Sequence, residues 1–157
     1  MTELGLTVLF YADIERSLKL VLPFIRQPGT PAAPAPYAEL QELLRGKKTM
    51  GLLAERLKSS VEIDDPEGFS RYVAQVVEHR NEVIHAFRSL PFGLLRDASE
   101  CSDATAYLKD RRAFAEPLGQ LLRGVAVHIG GGLEKVERFG TSQSGDISLE
   151  VQVFQVP

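Results

Sequence analysis

The chain has one cysteine, no basic surplus and no long apolar run, and each absence closes a class of function. Cys101 alone can make neither an internal disulfide nor a cysteine-rich zinc module, and is read as a packing residue. No apolar run reaches the roughly 18 residues that a spanning helix needs, so no membrane partner is expected. The opening MTELGLTVLF carries Glu3 and lacks a basic n-region; no secretory signal is expected, and the expected address is cytoplasmic. With a net charge of −3 and a pI near 5.7, the broad positive face of a duplex-binding protein is missing. Any contact with RNA must then be made at a local basic site.

Two nucleotide-loop signatures are incomplete. HIGGGL follows a helix instead of a strand and lacks the G-x-G-x-x-G spacing. GKKT at 46–49 has Gln41 where a phosphate loop requires glycine. His79 and His85 are six residues apart, a poor spacing for two metal ligands on one helix, and neither a metal nor a cofactor is expected. His128 is read as a residue at a helix end and KDRR, 109–112, as a solvated basic patch.

What is present is helical periodicity in a chain of 157 residues, 44% hydrophobic and 25% charged, enough for one domain with its own core. There is no internal repeat. In 4–26, Leu6, Phe10, Ile14, Val21 and Ile25 share one side, and Pro23 predicts a kink or a last turn. QPGTPAAPAPY, 27–37, predicts an extended connection. Residues 36–60 read as helix in two pieces, broken at Gly46, with Thr49 placed to cap the second. Asp65 and Pro66 open a third helix that runs to about Ser89, before Leu90-Pro91. A fourth, capped by Ser102 or Asp103, should bend at Pro117 and stop at Gly130-Gly131-Gly132. Beyond it, GTSQSGD is turn-like and ISLEVQVF alternates as a strand does. The expected fold is all-α: an antiparallel four-helix up-and-down bundle over 1–132, a Pro-rich connection between the first two helices, and an irregular or single-strand tail over 133–157.

The residue out of place is Arg80. At about 100° per residue, Val73, Val76, Val77, Val83, Ile84 and Phe87 fall within roughly 60° of it, so it sits in the middle of the apolar stripe of the third helix. Asn81, His85, Arg88 and Glu78 line one flank, and His79 points away toward solvent. A guanidinium on a buried face is costly unless paired, and Asp13 and Glu15 on the first helix are the rival partners. Such a pair could merely fix register. Alternatively the face lines a cleft or a two-fold interface, where a guanidinium fork suits phosphate oxygens and an imidazole moves protons near neutrality.

The stretch RNEVIH resembles the motif of the HEPN superfamily, small helical bundles whose third helix carries an arginine, a following polar residue and, four residues beyond that, a histidine. Arg80, Asn81 and His85 match it, and IERSLKL in the first helix and TMGLLAERLK in the second support the likeness, which covers roughly residues 4–129. The resemblance implies a metal-independent endoribonuclease, a toxin or defence component, that cleaves RNA by 2′-hydroxyl transesterification. His85 would serve as acid or base, Arg80 would stabilise the transition state, and Asn81 would orient the phosphate or His85. Arg88 and Glu78, with Asp13 and Glu15, are the supporting candidates. One chain offers a single motif histidine, so a homodimer is the expected competent form, with RNA as substrate and a protein antitoxin or inhibitor as a further partner. Some relatives carry a modifiable tyrosine two residues after the histidine; Phe87 stands there and has no hydroxyl. The alternatives are a non-catalytic dimerising or adaptor module and a bundle that binds a phosphorylated ligand.

Overall fold

The computed structural model describes residues 2–25, 36–61 and 63–138. Within them every regular element is helical: α1 (Glu3–Val21), α2 (Pro36–Arg45), α3 (Met50–Ser60), α4 (Pro66–Asn81) and α5 (Ala98–Arg138). The expected connection at 27–37 lies outside the described residues up to 35, as does the expected strand and most of the tail, from residue 139 on.

α1 buries Thr7, Tyr11, Ile14, Leu18 and Val21, a four-three spacing that keeps one stripe against its neighbours. That stripe is turned from the expected one: Leu6 is exposed, and Tyr11 takes the central place with its hydroxyl donating to the Arg111 carbonyl at 3.0 Å. Thr7 satisfies its hydroxyl by donating to the Glu3 carbonyl at 2.9 Å, which is why a polar residue can lie fully buried there. Pro23 falls in a 3₁₀ turn, Leu22–Phe24, that ends the helix as expected.

The chain breaks between α2 and α3 at residues 46–49, and both helices pack on α1. Thr49 occupies the capping position of α3, but its side chain makes no capping hydrogen bond. Because this break yields two helices, the structure has five α-helices among the described residues where four legs were expected. An alternating four-leg bundle would leave its first and last helices antiparallel. Here Glu3 pairs with Arg112, Ile14 lies against Gly119 and Asp13 reaches Arg123, so α1 and α5 run in the same direction. α4 runs against α5: Tyr72 meets Leu118, and Glu82 meets Tyr107.

α4 starts as expected, with the Asp65 carboxylate accepting from the Gly68 N–H at 2.8 Å and Pro66 in the first turn. α5 is capped at Asp97, five or six residues before the expected Ser102 or Asp103. Asp97 accepts from the Glu100 N–H at 2.9 Å, and the Glu100 carboxylate reaches back to the Arg96 N–H at 2.8 Å. Cys101 is therefore an exposed residue of the first turn of α5, not a packing residue. The expected stop at Gly130–Gly132 is also overturned, because α5 continues through those glycines to Arg138. His128 consequently lies within the helix rather than at its end.

α5 passes unbroken through Pro117. A helical proline donates no N–H and its ring crowds the carbonyl one turn back. The buried Tyr72 of α4 places its hydroxyl at this point, donating to the Phe114 carbonyl at 3.0 Å and accepting from the Leu118 N–H at 3.2 Å. These are the carbonyl and amide, four residues apart, that pair along an α-helix, so the hydroxyl reinforces the helix where proline disturbs it. The core that results gathers Tyr11, Ile14, Leu18, Leu22, Leu53, Leu57, Phe69, Val76, Leu108, Leu118 and Leu122 from α1, α3, α4, α5 and the 3₁₀ turn. At about 1.5–3 kcal/mol per buried large side chain, that burial is what holds short helices together. No helix among the described residues is long and apolar enough to cross a membrane.

Candidate functional site

α4 does not end cleanly. Its helical path widens into a π turn, Glu82–Ala86, then tightens into a 3₁₀ turn, Phe87–Ser89. Gly93 allows the next turn to fold back, since a Cβ there would come within 2.0 Å of the Phe87 carbonyl oxygen. Single π turns of this kind are local and often found at functional sites.

The π turn changes what Arg80 can reach. In a continuous α-helix His85 would lie about 140° round from Arg80. The wider turn pairs residues five apart along the axis, which draws residue 85 back toward residue 80. Arg80 Nη1 lies 3.1 Å from His85 Nε2 and donates to Asn81 Oδ1 at 3.0 Å. Arg80 Nη2 donates to Glu15 Oε2 at 3.5 Å, and Lys19 holds the other oxygen of that carboxylate at 3.2 Å. An arginine only donates, so in this arrangement His85 Nε2 is the acceptor and its ring proton sits on Nδ1. The Arg80 side chain keeps 19% of its surface, while Val73, Val76, Val83 and Phe87 around it are buried. His85 and Asn81 face solvent.

Arg80, Asn81 and His85 are thus brought together, with Glu15 as the partner of the guanidinium. Asp13 is not part of the cluster; it points to Arg123, 3.9 Å away across α5. Arg88 and Glu78 are exposed, and among the described residues no hydrogen bond or ion pair ties either one to Arg80 or His85. Phe87 is buried beneath the turn.

A second cluster was not foreseen. His79, expected on the surface, is half-buried between α4 and α5, with its ring edge-on to Phe114 at 4.8 Å. Arg111 Nη1 lies 2.9 Å from His79 Nε2, so this imidazole too accepts through Nε2. The Arg111 guanidinium stacks on the Tyr107 ring at 4.6 Å and lies 3.7 Å from Glu82 Oε2. Tyr107 donates its hydroxyl to the same Glu82 oxygen at 2.7 Å. Burial and then the Arg111 charge push the His79 pKa below its ordinary value, and burial pushes that of Tyr107 up. The KDRR patch is therefore only half solvated: Arg111 serves this cluster and Arg112 pairs with Glu3, while Lys109 and Asp110 are exposed. The readable signal was Tyr107 and Arg111 one turn apart on α5, an arrangement that can grip a carboxylate on the helix opposite.

Among the described residues no three His, Cys, Asp or Glu side chains converge as a metal site. No family model, no curated protein and no solved structure matches the chain.

Proposed function

We propose that the chain is a metal-independent, HEPN-like endoribonuclease that acts as a homodimer in a toxin or defence setting. One observation carries this reading: a single guanidinium lies within hydrogen-bond distance of both His85 Nε2 and Asn81 Oδ1, at the half-buried end of α4. In the reaction a 2′-oxygen attacks phosphorus while the P–O5′ bond breaks. A neutral His85 takes the 2′-proton, and His85 of the second protomer, protonated, gives one to the 5′-oxygen. Arg80 turns its donors from Glu15 to the phosphorane oxygens, which carry more negative charge in the transition state than before it. Lys19 stays on Glu15, so the carboxylate is not stranded when Arg80 moves.

The products test it. RNA incubated with the protein in EDTA should carry 2′,3′-cyclic phosphate and 5′-hydroxyl ends. Ends with a 3′-hydroxyl would show hydrolysis by water instead, and would remove the proposed role of His85.

A second reading, a dimerising or adaptor module without catalysis, is favoured by the same guanidinium, because three protein acceptors already engage it. Under that reading Arg80→Ala disrupts the dimer and His85→Ala does little. A bundle that binds a phosphorylated ligand would instead gain thermal stability from that ligand, without cutting RNA.

A further inference from the structure

We infer that Glu82, Tyr107 and Arg111 are positioning residues that set the π turn and so fix where His85 stands; their effect on reaction rests on the nuclease reading above, but their effect on His85 does not. Glu82 opens the π turn and His85 is its fourth residue. A π turn replaces the regular α-helical ladder and is rare, so an outside tie favours the wider pitch here. Glu82 supplies one, since its carboxylate accepts the Tyr107 hydroxyl at 2.7 Å with the Arg111 guanidinium 3.7 Å away. A hydrogen bond to a charged acceptor is among the strong ones, and this pair is partly shielded from water.

Arg111 adds a second tie at a telling place. It contacts His79, in the last turn of α4, and Glu82, the first residue of the widened turn. One guanidinium on α5 therefore spans the junction at which the helix changes pitch. The opposite side of the same turn carries His85 to Arg80. If the turn relaxed to α-helical pitch, His85 would swing toward about 140° from Arg80 and lose that contact. The interior face of the turn holds the grip; the outer face presents the histidine.

The His85 ring reports this directly through two-bond proton–nitrogen correlations, which distinguish its tautomers. In the wild-type protein at pH 8 the proton should reside on Nδ1, because Arg80 donates to Nε2. Tyr107→Phe keeps the ring that stacks under Arg111 but removes the hydroxyl, and should move the His85 proton largely to Nε2. Asp65→Ala, which loses the cap at the far end of α4, controls for a general loss of stability and should leave His85 unchanged. An unchanged His85 in Tyr107→Phe, or an equal change in Asp65→Ala, overturns the inference. Where the wild type cleaves RNA, Tyr107→Phe should lower kcat about tenfold with KM within twofold. A tautomer change in a protein that cuts no RNA would uphold the positioning and discard the nuclease reading.

Discussion

Replacing Tyr72 by phenylalanine removes a single oxygen atom and leaves the ring that packs against Phe114, at a centroid distance of 5.3 Å. The oxygen accepts from Leu118 N–H and donates to the Phe114 carbonyl, at 3.2 and 3.0 Å, beside Pro117. With Tyr72 only 4% exposed, water does not readily replace it. Leaving a buried donor or acceptor unmet costs about 1–3 kcal/mol. Relaxation of the carbonyl and amide toward each other should recover part of two such losses, so the expected cost is about 2 kcal/mol. For a chain of this size, about 2–4 °C per kcal/mol translates that into a fall in Tm of about 4–8 °C. Pro117 lies between these two groups, so the effect should depend on it. In a Pro117→Ala background the helix regains the N–H that proline lacks and sheds its ring, and Tyr72→Phe should then cost less than half as much. Urea unfolding of the four proteins in the cycle measures this. A cost below about 0.5 kcal/mol, or equal costs in both backgrounds, would refute the idea that Tyr72 repairs the helix at Pro117.

Three further outcomes follow from other parts of the molecule. His79 titrates below its ordinary 6.5 in the folded chain, mainly through burial and then through Arg111, with Glu82, Glu78 and Asp110 opposing. The unfolded chain therefore binds the proton first, and stability is full above about pH 6.5 and declines as pH falls below it toward the folded value. Urea midpoints at pH 7.5 and 5.5 should show a smaller decline in His79→Gln than in wild type; an equal decline contradicts this assignment. Gly93→Ala should lower Tm by several degrees, about 1–3 kcal/mol, because the new carbon meets the backbone of Phe87 and Arg88. A neutral outcome there would mean that the turn behind His85 is free to shift. Asp65→Ala should cost about 1 kcal/mol in the same assay through loss of the α4 cap, and no loss would mean that the cap is idle.

The sequence made some of this legible because local chemistry decides it. Asp65-Pro66 is a helix start wherever the chain goes, and Gly46 favours a helix break for reasons of backbone alone. The near side of the apolar arc around Arg80 was also readable, since Val73 and Val76 are placed by the α-helical period alone. The π turn was not. Its wider pitch depends on a grip from Tyr107 and Arg111, which become neighbours of Glu82 only when α5 packs against α4. For the same reason His79 was assigned to solvent: one helical wheel shows which way a side chain points, not which second helix will cover it. Ser102 and Asp103 are good caps by residue type, but α5 is capped at Asp97 instead, where the Asp97 carboxylate accepts from the Glu100 N–H and Glu100 reaches back to the Arg96 N–H. Gly130–Gly132 lowers helix propensity without forbidding helix, and α5 runs through it.

The central claim is that Arg80 and His85 act together on a phosphodiester. The direct measurement is cleavage of RNA in EDTA by wild type, Arg80→Ala and His85→Ala, compared at equal dimer content and after checking that Tm differs by no more than a few degrees. Glu15 keeps Lys19 when Arg80 is removed, so the arginine variant should remain folded. The account predicts cleavage by the wild type and at least a hundredfold loss in each variant. Cleavage that survives both substitutions, or a wild type that cuts no RNA while Arg80→Ala alone dissolves the dimer, would contradict it.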